Sequence, residues 1–277
     1  MNHVTLVCFP HAGADASTYN RLAAAITRQE EGVSRITVKV VNLPGRGRRY
    51  AEDLINNLDR LVDDALEQMM PWISSGNYAL LGHSMGSWLA YLAAQRLREI
   101  NQPLPFRLIV SGSRPPRLGV IKVMHSLGQA SLVAELRSMG GFPQELLNNL
   151  EALDYFLPIL RADLEAMALH KPRQYLPLPI PMTAYRGVHD TVSREDAMAW
   201  CDETSRSFNI HEFAGNHFFV LDLANEVAAV TRRMLLEPES QSPGKIKSTG
   251  QCSNQGQNKS SQPSGGLVMP MSEACIS

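Results

Sequence analysis

Short apolar runs alternate along most of the chain with longer segments in which apolar residues recur at helical spacing. Each run is bounded by turn-forming residues, which is typical of buried strands. The predicted strands are residues 4–9, 35–41, 78–81, 106–113, 182–187 and 208–213. The predicted helices run from Ser17 or Thr18 to about Gln29 and over residues 54–72, 87–100, 194–204 and 220–236. This alternation predicts an α/β fold with a mostly parallel, doubly wound sheet and helices on both faces.

A different pattern interrupts the alternation between about Gly119 and Leu176. Here we expect helical pieces and no strand, over residues 131–139, 143–150 and 153–169. A helical insert between two strands of an α/β sheet predicts a lid, because such inserts cover active sites and exclude water from them. Most of its apolar side chains are expected to pack among themselves.

The composition changes again from about Pro238, where Ser, Gln, Gly, Asn, Pro and Lys dominate. Such a segment buries too little apolar surface to offset the entropy of ordering it, so we predict a disordered tail that catalysis does not need. The predicted organisation is therefore one domain over residues 1–237, with the helical insert at 119–176, and a tail at 238–277.

Charge and cysteine content exclude several classes of protein. The 277 residues carry a net charge of −1, which argues against nucleic acid or a membrane surface as the main partner. No apolar run approaches the ~20 residues of a membrane span, and the N-terminal run is too short for a signal peptide. The four cysteines are widely spaced and form no C-x-x-C pair, so neither a disulfide framework nor a zinc site is expected. We expect a cytoplasmic protein without a cofactor.

The motif Gly82-His83-Ser84-Met85-Gly86 lies between a predicted strand and a predicted helix, which is the context of a nucleophile elbow. The serine of such a turn sits on tightly bent backbone, and bulky side chains two residues before and after it would clash. The turn raises the Ser84 hydroxyl above the sheet edge and places the Met85 amide at a helix N-terminus, where an oxyanion would form. Ser84 is therefore the candidate nucleophile.

Small residues follow the first predicted strand, in the stretch Pro10-His11-Ala12-Gly13-Ala14-Asp15. They let the backbone approach a substrate closely, so this turn can supply a second oxyanion amide, which we assign to Ala12. Without the elbow, an ordinary strand-to-helix loop would explain the stretch equally well.

A serine nucleophile needs a base and a carboxylate that orients the base. In elbow-containing α/β folds these partners follow in the chain order Ser, acid, His, on loops at the carboxyl edge of the sheet. His217 follows the last predicted strand, and Asp190 follows the strand before it. The other usual acid position, after the strand that ends at Ser113, holds no carboxylate. The predicted triad is Ser84, His217 and Asp190.

The remaining histidines fit this chemistry less well. His83 lies inside the elbow and should point away from the Ser84 hydroxyl, and His11 is expected to order its own loop. His189 belongs to the loop of the acid, where a structural role is favoured. Surface or packing roles are expected for His125, His170 and His211.

These residues and several further blocks resemble the type II thioesterases that accompany polyketide synthases and nonribosomal peptide synthetases. The blocks lie in the family's order at residues 8–13, 43–48, 82–86, 139–143, 157–163, 185–190 and 215–219. The resemblance covers residues 4 to about 236 and implies the α/β-hydrolase fold. It places the family's serine, aspartate and histidine on Ser84, Asp190 and His217, and its oxyanion amides on Ala12 and Met85.

The resemblance also implies a reaction and a partner. It implies hydrolysis of aberrant or stalled acyl groups from the phosphopantetheine arm of acyl or peptidyl carrier domains. Carrier domains are usually acidic, so Arg46, Arg48 and Arg49 become candidate docking residues, although a plain solvated surface is the simpler interpretation of the loop. A charged pair within Leu160-Arg161-Ala162-Asp163 is expected to have no chemical role. We expect a monomer.

Other functions stay open at this point. A serine carboxylesterase or lipase of the same fold would act on free oxygen esters. A carrier-binding accessory protein would need no triad, and its hydrolysis would be incidental. Acyl transfer to an acceptor other than water is a third possibility.

Overall fold

The computed structural model describes residues 3–28, 35–74, 76–140 and 148–236. Its six strands are β1 (Val4–Phe9), β2 (Ile36–Val40), β3 (Tyr78–His83), β4 (Arg107–Ser111), β5 (Met182–Gly187) and β6 (Phe208–Phe213). They form one sheet in the order β2-β1-β3-β4-β5-β6, and every neighbouring pair is parallel. The predicted strands are confirmed to within two residues at each end.

Helices connect the strands. They are α1 (Asn20–Thr27), α2 (Leu58–Ile73), α3 (Met85–Glu99), α4 (Gln129–Met139), α5 (Leu150–Ala168), α6 (Arg194–Met198), α7 (Phe219–Asp222) and α8 (Ala224–Leu236). Short 3-10 turns lie at Ala16–Tyr19, Gly47–Arg49, Pro116–Leu118 and Ala199–Glu203. Helices α4 and α5 belong to the predicted helical insert between β4 and β5, and the described residues between those two strands form no further strand of the sheet.

Both faces of the sheet are buried, because successive side chains of a strand point to opposite faces. Along β1, Leu6 and Cys8 pack in one apolar cluster with residues of α1, α7 and α8. Val7 and Phe9 pack in a second cluster with residues of α2, α3 and the helical insert. The doubly wound α/β-hydrolase architecture that the sequence predicts is thereby confirmed.

The strand order positions the functional loops. The chain crosses to opposite sides of β1 when it forms β2 and then β3, so β1 and β3 flank the point at which the winding direction reverses. Ligands of open α/β sheets bind outside the carboxyl ends of the strands at such a point. Phe9 and Gly82 are register partners at these ends, so the loop after β1 and the elbow after β3 leave the sheet side by side.

Two predicted helix starts are wrong. Helix α2 begins at Leu58 and not at Leu54, because Asn57 caps it by accepting the Arg60 amide at 3.0 Å. The first helical turn is capped by Asp15, not by Ser17 or Thr18: the Asp15 carboxylate accepts the Ser17 amide at 2.7 Å. In both cases a side chain that satisfies orphan amides, and not the apolar periodicity, fixes where the helix begins.

Some predictions lie outside the described residues. These are the C-terminal tail at 238–277, most of the predicted helix at 143–150, and most of the 139–143 block. Helices α4 and α5 match the predicted segments 131–139 and 153–169 closely.

Candidate active site

Ser84 lies at the turn between β3 and α3 with strained backbone angles of φ 53° and ψ −119°. A Cβ atom on Gly82 would lie 2.0 Å from the Gly86 carbonyl oxygen, and one on Gly86 would lie 2.0 Å from the Phe9 carbonyl oxygen. Only glycine fits at either position, as the elbow motif predicts. The Ser84 amide donates to the Ser111 carbonyl at 2.7 Å, which ties the elbow to the end of β4.

His217 and Asp190 lie on the loops that follow β6 and β5. The Nδ1 atom of His217 is 2.9 Å from Oδ1 of Asp190, whose side chain is fully buried. The same oxygen accepts the Val192 amide at 3.1 Å. The carboxylate therefore occupies one ring nitrogen of His217 and leaves Nε2 as the nitrogen available to a reacting group.

A cavity of about 210 Å³ lies beside Ser84 and His217, which both line it. Its apolar wall comes from α3, from the segment after β4 and from the helical insert. The wall includes Trp88, Val120, Ile121, Met124, Met139, Leu164 and Met167. Several apolar side chains of the insert, which the sequence assigned to internal packing, therefore face the candidate site.

The loop after β1 lies beside the elbow, and most of its amides are already bonded. The His11 amide donates to the Tyr19 hydroxyl at 3.2 Å, the Gly13 amide to Asp163 at 2.7 Å, and the Ala14 amide to the His11 carbonyl at 3.1 Å. Among the described residues, no group accepts a hydrogen bond from the Ala12 amide. It is thus the one amide of residues 11–14 that is free to bind an oxyanion.

Met85 is the first residue of α3, so its amide lies outside the hydrogen-bond ladder of the helix. The positive end of the helix dipole also lies here. The amides of Ala12 and Met85, the two predicted oxyanion donors, therefore lie at the ends of adjacent strands beside Ser84.

Two further imidazoles lie near His217: the ring centroid of His83 is 5.1 Å from that of His217, and the ring centroid of His11 is 5.9 Å from that of His83. Burial and, to a smaller extent, a positive charge on His217 lower the pKa of His11 from 6.5 to about 3. Burial and the charges of His217 and His11 likewise lower the pKa of His83 well below its ordinary value. His83 lies with its Nδ1 3.0 Å from the Ser111 hydroxyl, and His11 bonds Tyr19 with its Nδ1 at 3.0 Å. The bond to Tyr19 agrees with the loop-ordering role that the sequence indicates for His11.

Two sequence predictions about charged groups near the site are wrong. Arg46 is not an exposed docking residue, since it is buried and forms a bidentate ion pair with Asp163. Asp163, expected to pair within its own helix, instead contacts Arg46 and the Gly13 amide. The signal that could have found this pair is a carboxylate on the apolar face of α5, seven residues after Phe156 and three after Leu160.

Asp196 lies in the first turn of α6, close to the Asp190 loop. It does not face solvent freely but closes a capping box with Ser193, whose amide it accepts at 3.2 Å. It also lies 3.4 Å from Arg114, on the loop after β4. Asp196 therefore stabilises the start of α6 near the Asp190 loop.

The described part of the chain contains neither a membrane-spanning helix nor a metal-binding cluster. None of its helices is long and apolar enough to cross a bilayer. No group of three or more His, Cys, Asp or Glu side chains within residues 3–28, 35–74, 76–140 and 148–236 is arranged to hold a metal ion. Among the described residues, Cys8 and Cys201 form no disulfide with each other.

Several known proteins are similar to this chain along most of its length. The gramicidin S biosynthesis protein GrsT of Aneurinibacillus migulanus is 32% identical over 224 residues, which are 80% of this chain and 85% of GrsT. The RedJ thioesterase of the prodiginine biosynthetic pathway in Streptomyces coelicolor has 33% identity and a TM-score of 0.74, with 82% of this chain and 85% of RedJ covered. BorB, a type II thioesterase from the borrelidin biosynthetic cluster, has 31% identity and a TM-score of 0.72, with 84% of this chain and 93% of BorB covered.

A family model gives the same assignment. The model of the thioesterase domain matches residues 4–235, which span every strand of the sheet, the elbow and the loops of Asp190 and His217. The resemblance drawn from the sequence blocks is confirmed. This chain belongs to the thioesterase domain family.

Proposed function

We propose that the protein hydrolyses acyl thioesters on the phosphopantetheine arm of acyl or peptidyl carrier proteins. It would thereby clear aberrant or stalled acyl groups from a polyketide or nonribosomal peptide assembly line. Membership of the thioesterase family supports the reaction type. The similarity to GrsT, RedJ and BorB, whose names refer to biosynthetic pathways, supports the assembly-line context.

One observation supports the catalytic assignment above all others. Ser84 and His217 line a single cavity, and His217 is bonded at 2.9 Å to the buried carboxylate of Asp190. A base that a buried carboxylate orients, next to a serine on a strained elbow, is the arrangement that activates a hydroxyl at neutral pH. We assign Ser84 as nucleophile, His217 as base and Asp190 as the orienting acid.

In the first half-reaction, the Ser84 oxygen attacks the thioester carbonyl carbon while Nε2 of His217 takes the hydroxyl proton. The carbonyl oxygen becomes an oxyanion that accepts hydrogen bonds from the Ala12 and Met85 amides. One such donor is typically worth ~2.7–4 kcal/mol of transition-state stabilisation. Asp190 stabilises the imidazolium, and the tetrahedral intermediate collapses to an acyl-serine as the pantetheine sulfur leaves and receives the proton from His217.

In the second half-reaction, water takes the place of the thiol. His217 removes a proton from the water, whose oxygen attacks the acyl-serine carbonyl at the same two amides. The Ser84 oxygen then leaves and regains its proton from His217, and the free acid departs. No step needs a metal or an organic cofactor. The acyl chain would lie against the apolar wall that Trp88 and Met167 help to form.

The same proposal includes a partner and a setting. A carrier domain would have to approach the mouth of the site, and its usual negative charge favours a basic surface. Of the three loop arginines, Arg46 is buried, and Arg49 is paired with Glu52 and Asp64 at 2.5 and 2.6 Å. Arg48 is exposed and is the one we retain as a docking residue. We further propose a cytoplasmic monomer without nucleic-acid or membrane partners.

The test is release of free acid from acetyl- and longer acyl-phosphopantetheine carrier proteins by wild type and Ser84→Ala. Removing the nucleophile of a serine triad typically lowers kcat by ~10⁶. We expect turnover by wild type and none by Ser84→Ala, with Ser205→Ala, an exposed serine away from the cavity, behaving as wild type. Turnover by Ser84→Ala would overturn the catalytic assignment.

The alternatives give different results in the same experiments. A carboxylesterase or lipase would turn over free oxygen esters with a higher kcat/KM than acyl-carrier thioesters. A carrier-binding accessory protein would restore product formation by a stalled synthase even as Ser84→Ala. Transfer to another acceptor would yield an acylated product in place of the free acid.

A further inference from the structure

Arg46 and Asp163 form an ion pair that is almost completely removed from solvent. The guanidinium contacts both carboxylate oxygens, with Nη2 2.9 Å from Oδ1, and its Nε donates to the Pro44 carbonyl at 3.1 Å. The two side chains are 3% and 0% exposed. Burying two charges costs about as much as their attraction returns, so stability alone is a weak reason for such a pair.

The carboxylate has a third partner in the loop after β1. Asp163 Oδ2, which also contacts Arg46, accepts the Gly13 amide at 2.7 Å. Phe156, Leu160 and Asp163 lie at positions i, i+4 and i+7 of α5 and therefore share one face of the helix. Gly13 packs on that face, since a Cβ atom there would lie 2.8 Å from the Phe156 ring and 3.3 Å from Leu160 Cδ1.

Gly13 directly follows Ala12, whose amide is the proposed oxyanion donor. The Gly13 amide belongs to the Ala12–Gly13 peptide plane, so the bond to Asp163 fixes the orientation of that plane. On the other side, the Tyr19 hydroxyl holds the His11 amide at 3.2 Å. The Ala12 amide belongs to the His11–Ala12 peptide plane, which lies between these two planes and whose carbonyl accepts the Ala14 amide at 3.1 Å. The direction of the Ala12 amide therefore depends on all three hydrogen bonds, of which the bond to Asp163 comes from the helical insert.

We propose that Asp163 and Arg46 are positioning residues of the oxyanion hole, Asp163 by holding the Gly13 amide and Arg46 by fixing the Asp163 carboxylate. This inference rests on the proposed function. Neither residue touches the reacting atoms, and both act through the direction of the Ala12 amide. Because Asp163 belongs to α5, the oxyanion hole is complete only while this helix of the insert packs on Gly13.

The first test is Asp163→Leu, which leaves the Gly13 amide without its acceptor, with a small N-acetylcysteamine thioester as substrate. A donor displaced by about 1 Å can cost about 100-fold in rate, so we expect kcat to fall about 100-fold at unchanged KM. The inhibition constant of a trifluoromethyl ketone, which forms an oxyanion on the serine, should rise by the same factor. Unchanged kcat and unchanged inhibition in the folded variant would overturn the proposal.

Asp64→Leu is the matched control. Asp64 accepts both terminal nitrogens of Arg49, at 2.6 and 2.7 Å, so this variant also breaks an Arg–Asp pair of the loop that carries Arg46. Asp64 makes no contact with residues 11–14 among the hydrogen bonds and ion pairs of the described chain. Its kcat and inhibition constant should stay at the wild-type values.

A double variant, Arg46→Met with Asp163→Leu, separates positioning from stability. It also serves if Asp163→Leu alone, which leaves Arg46 as an unpaired buried charge, fails to fold. It removes both buried charges, a change that proteins often tolerate, and it still leaves the Gly13 amide without its acceptor. A positioning role predicts that the loss of about 100-fold in kcat persists. Wild-type kcat in the double variant would show the pair to be structural only.

The outcomes separate this inference from the proposed function. If Ser84→Ala abolishes turnover while both Asp163 variants keep wild-type kcat, only the positioning role fails. If Ser84→Ala retains turnover, the catalytic assignment itself fails.

Discussion

His217 Nδ1 lies 2.9 Å from Asp190 Oδ1, and the bond joins the loops of two adjacent parallel strands. Gly187 of β5 is the register partner of Phe213 of β6, so the two loops start level with each other at the sheet edge. The carboxylate lies on the side of the ring away from the reacting nitrogen. The sheet therefore positions the acid and the base directly, because Asp190 and His217 each lie only a few residues beyond the end of their strand.

Asp190→Asn should nearly abolish turnover without unfolding the protein. The amide has the size of the carboxylate, but it cannot stabilise an imidazolium and favours the wrong tautomer of His217. In serine triads this change lowers kcat about 10⁴-fold. Steady-state kcat with a small thioester measures the effect, and Asp222→Asn, an exposed carboxylate in α7, is the control. A kcat within a factor of a few of wild type would refute the acid role.

Gly82→Ala should destabilise the fold far more than an ordinary surface substitution does. The new methyl group would lie 2.0 Å from the Gly86 carbonyl oxygen, and because that atom belongs to the backbone, the elbow would have to open. We expect a loss of at least about 4 kcal/mol in the free energy of unfolding. Urea denaturation followed by circular dichroism measures it.

Gly128→Ala is the control for that experiment. Gly128 precedes α4 with φ −57°, and a Cβ atom there would meet nothing within 4 Å. Its unfolding free energy should change by about 1 kcal/mol or less. Equal losses in the two variants would contradict the steric explanation of the elbow glycines.

Acid should destabilise the protein partly through its buried histidines. The pKa of His11 is about 3 in the folded chain and that of His83 is also well below 6.5, whereas both return to about 6.5 on unfolding. At a pH between the folded and the unfolded pKa, the unfolded chain binds more protons than the folded chain. The contribution of these histidines to the free energy of unfolding is therefore fully present above about pH 6.5 and is lost as the pH falls. Each histidine contributes a slope of up to about 1.4 kcal/mol per pH unit.

His11→Gln tests this assignment. Urea unfolding of wild type and variant at several values between about pH 6 and pH 4 gives the two slopes. As the pH falls, the free energy of unfolding of the variant should decrease by about 1.4 kcal/mol per pH unit less than that of wild type. The reason is that only one of the two histidines is left to take up a proton on unfolding. Parallel pH profiles would mean that His11 takes up no proton on unfolding in this range.

Arg48→Glu should impair the acyl-carrier substrate selectively. Arg48 is exposed in the turn Gly47–Arg49, outside the buried network of Arg46. One exposed ion pair is worth up to about 1 kcal/mol, so KM for an acyl-carrier protein should rise up to about fivefold, and less at high salt. KM for a small thioester should not change. Equal changes with both substrates would remove Arg48 from the docking surface.

The sequence predicts the sheet and the order of the candidate residues well. A proline or glycine lies within two residues of one end of each of the strands β1, β5 and β6, and the predicted bounds of these strands agree with the structure residue for residue. The sequence predicts Ser84, Asp190 and His217 as functional residues because each follows a strand at the carboxyl edge of the sheet, where ligands of α/β folds bind. A local pattern and the rules of one fold are enough for these predictions.

The relationships that the sequence does not reveal are the ones between distant segments. Arg46 and Asp163 are 117 positions apart in the sequence. The residues next to each of them in the chain do not indicate that it has a buried partner. A charged loop residue is usually solvated, and only the packing of α5 against Gly13 makes these two buried partners. The apolar wall of the cavity cannot be predicted from the sequence for the same reason. Met139 and Leu164 come together at the cavity only through the packing of α4 and α5 in the folded protein.

The insertion point of α4 and α5 determines which parts of the protein can diversify. The insert joins β4 to β5, which are neighbours in the sheet, so its length can change at little cost in loop-closure entropy. Helix α4 lines the cavity through Glu135, Ser138 and Met139, and substitutions there would alter the preferred acyl group while the remaining chemistry stays intact. Helix α5 lacks this freedom, because it carries Asp163. Selection for new substrates is therefore expected to act on the first half of the insert.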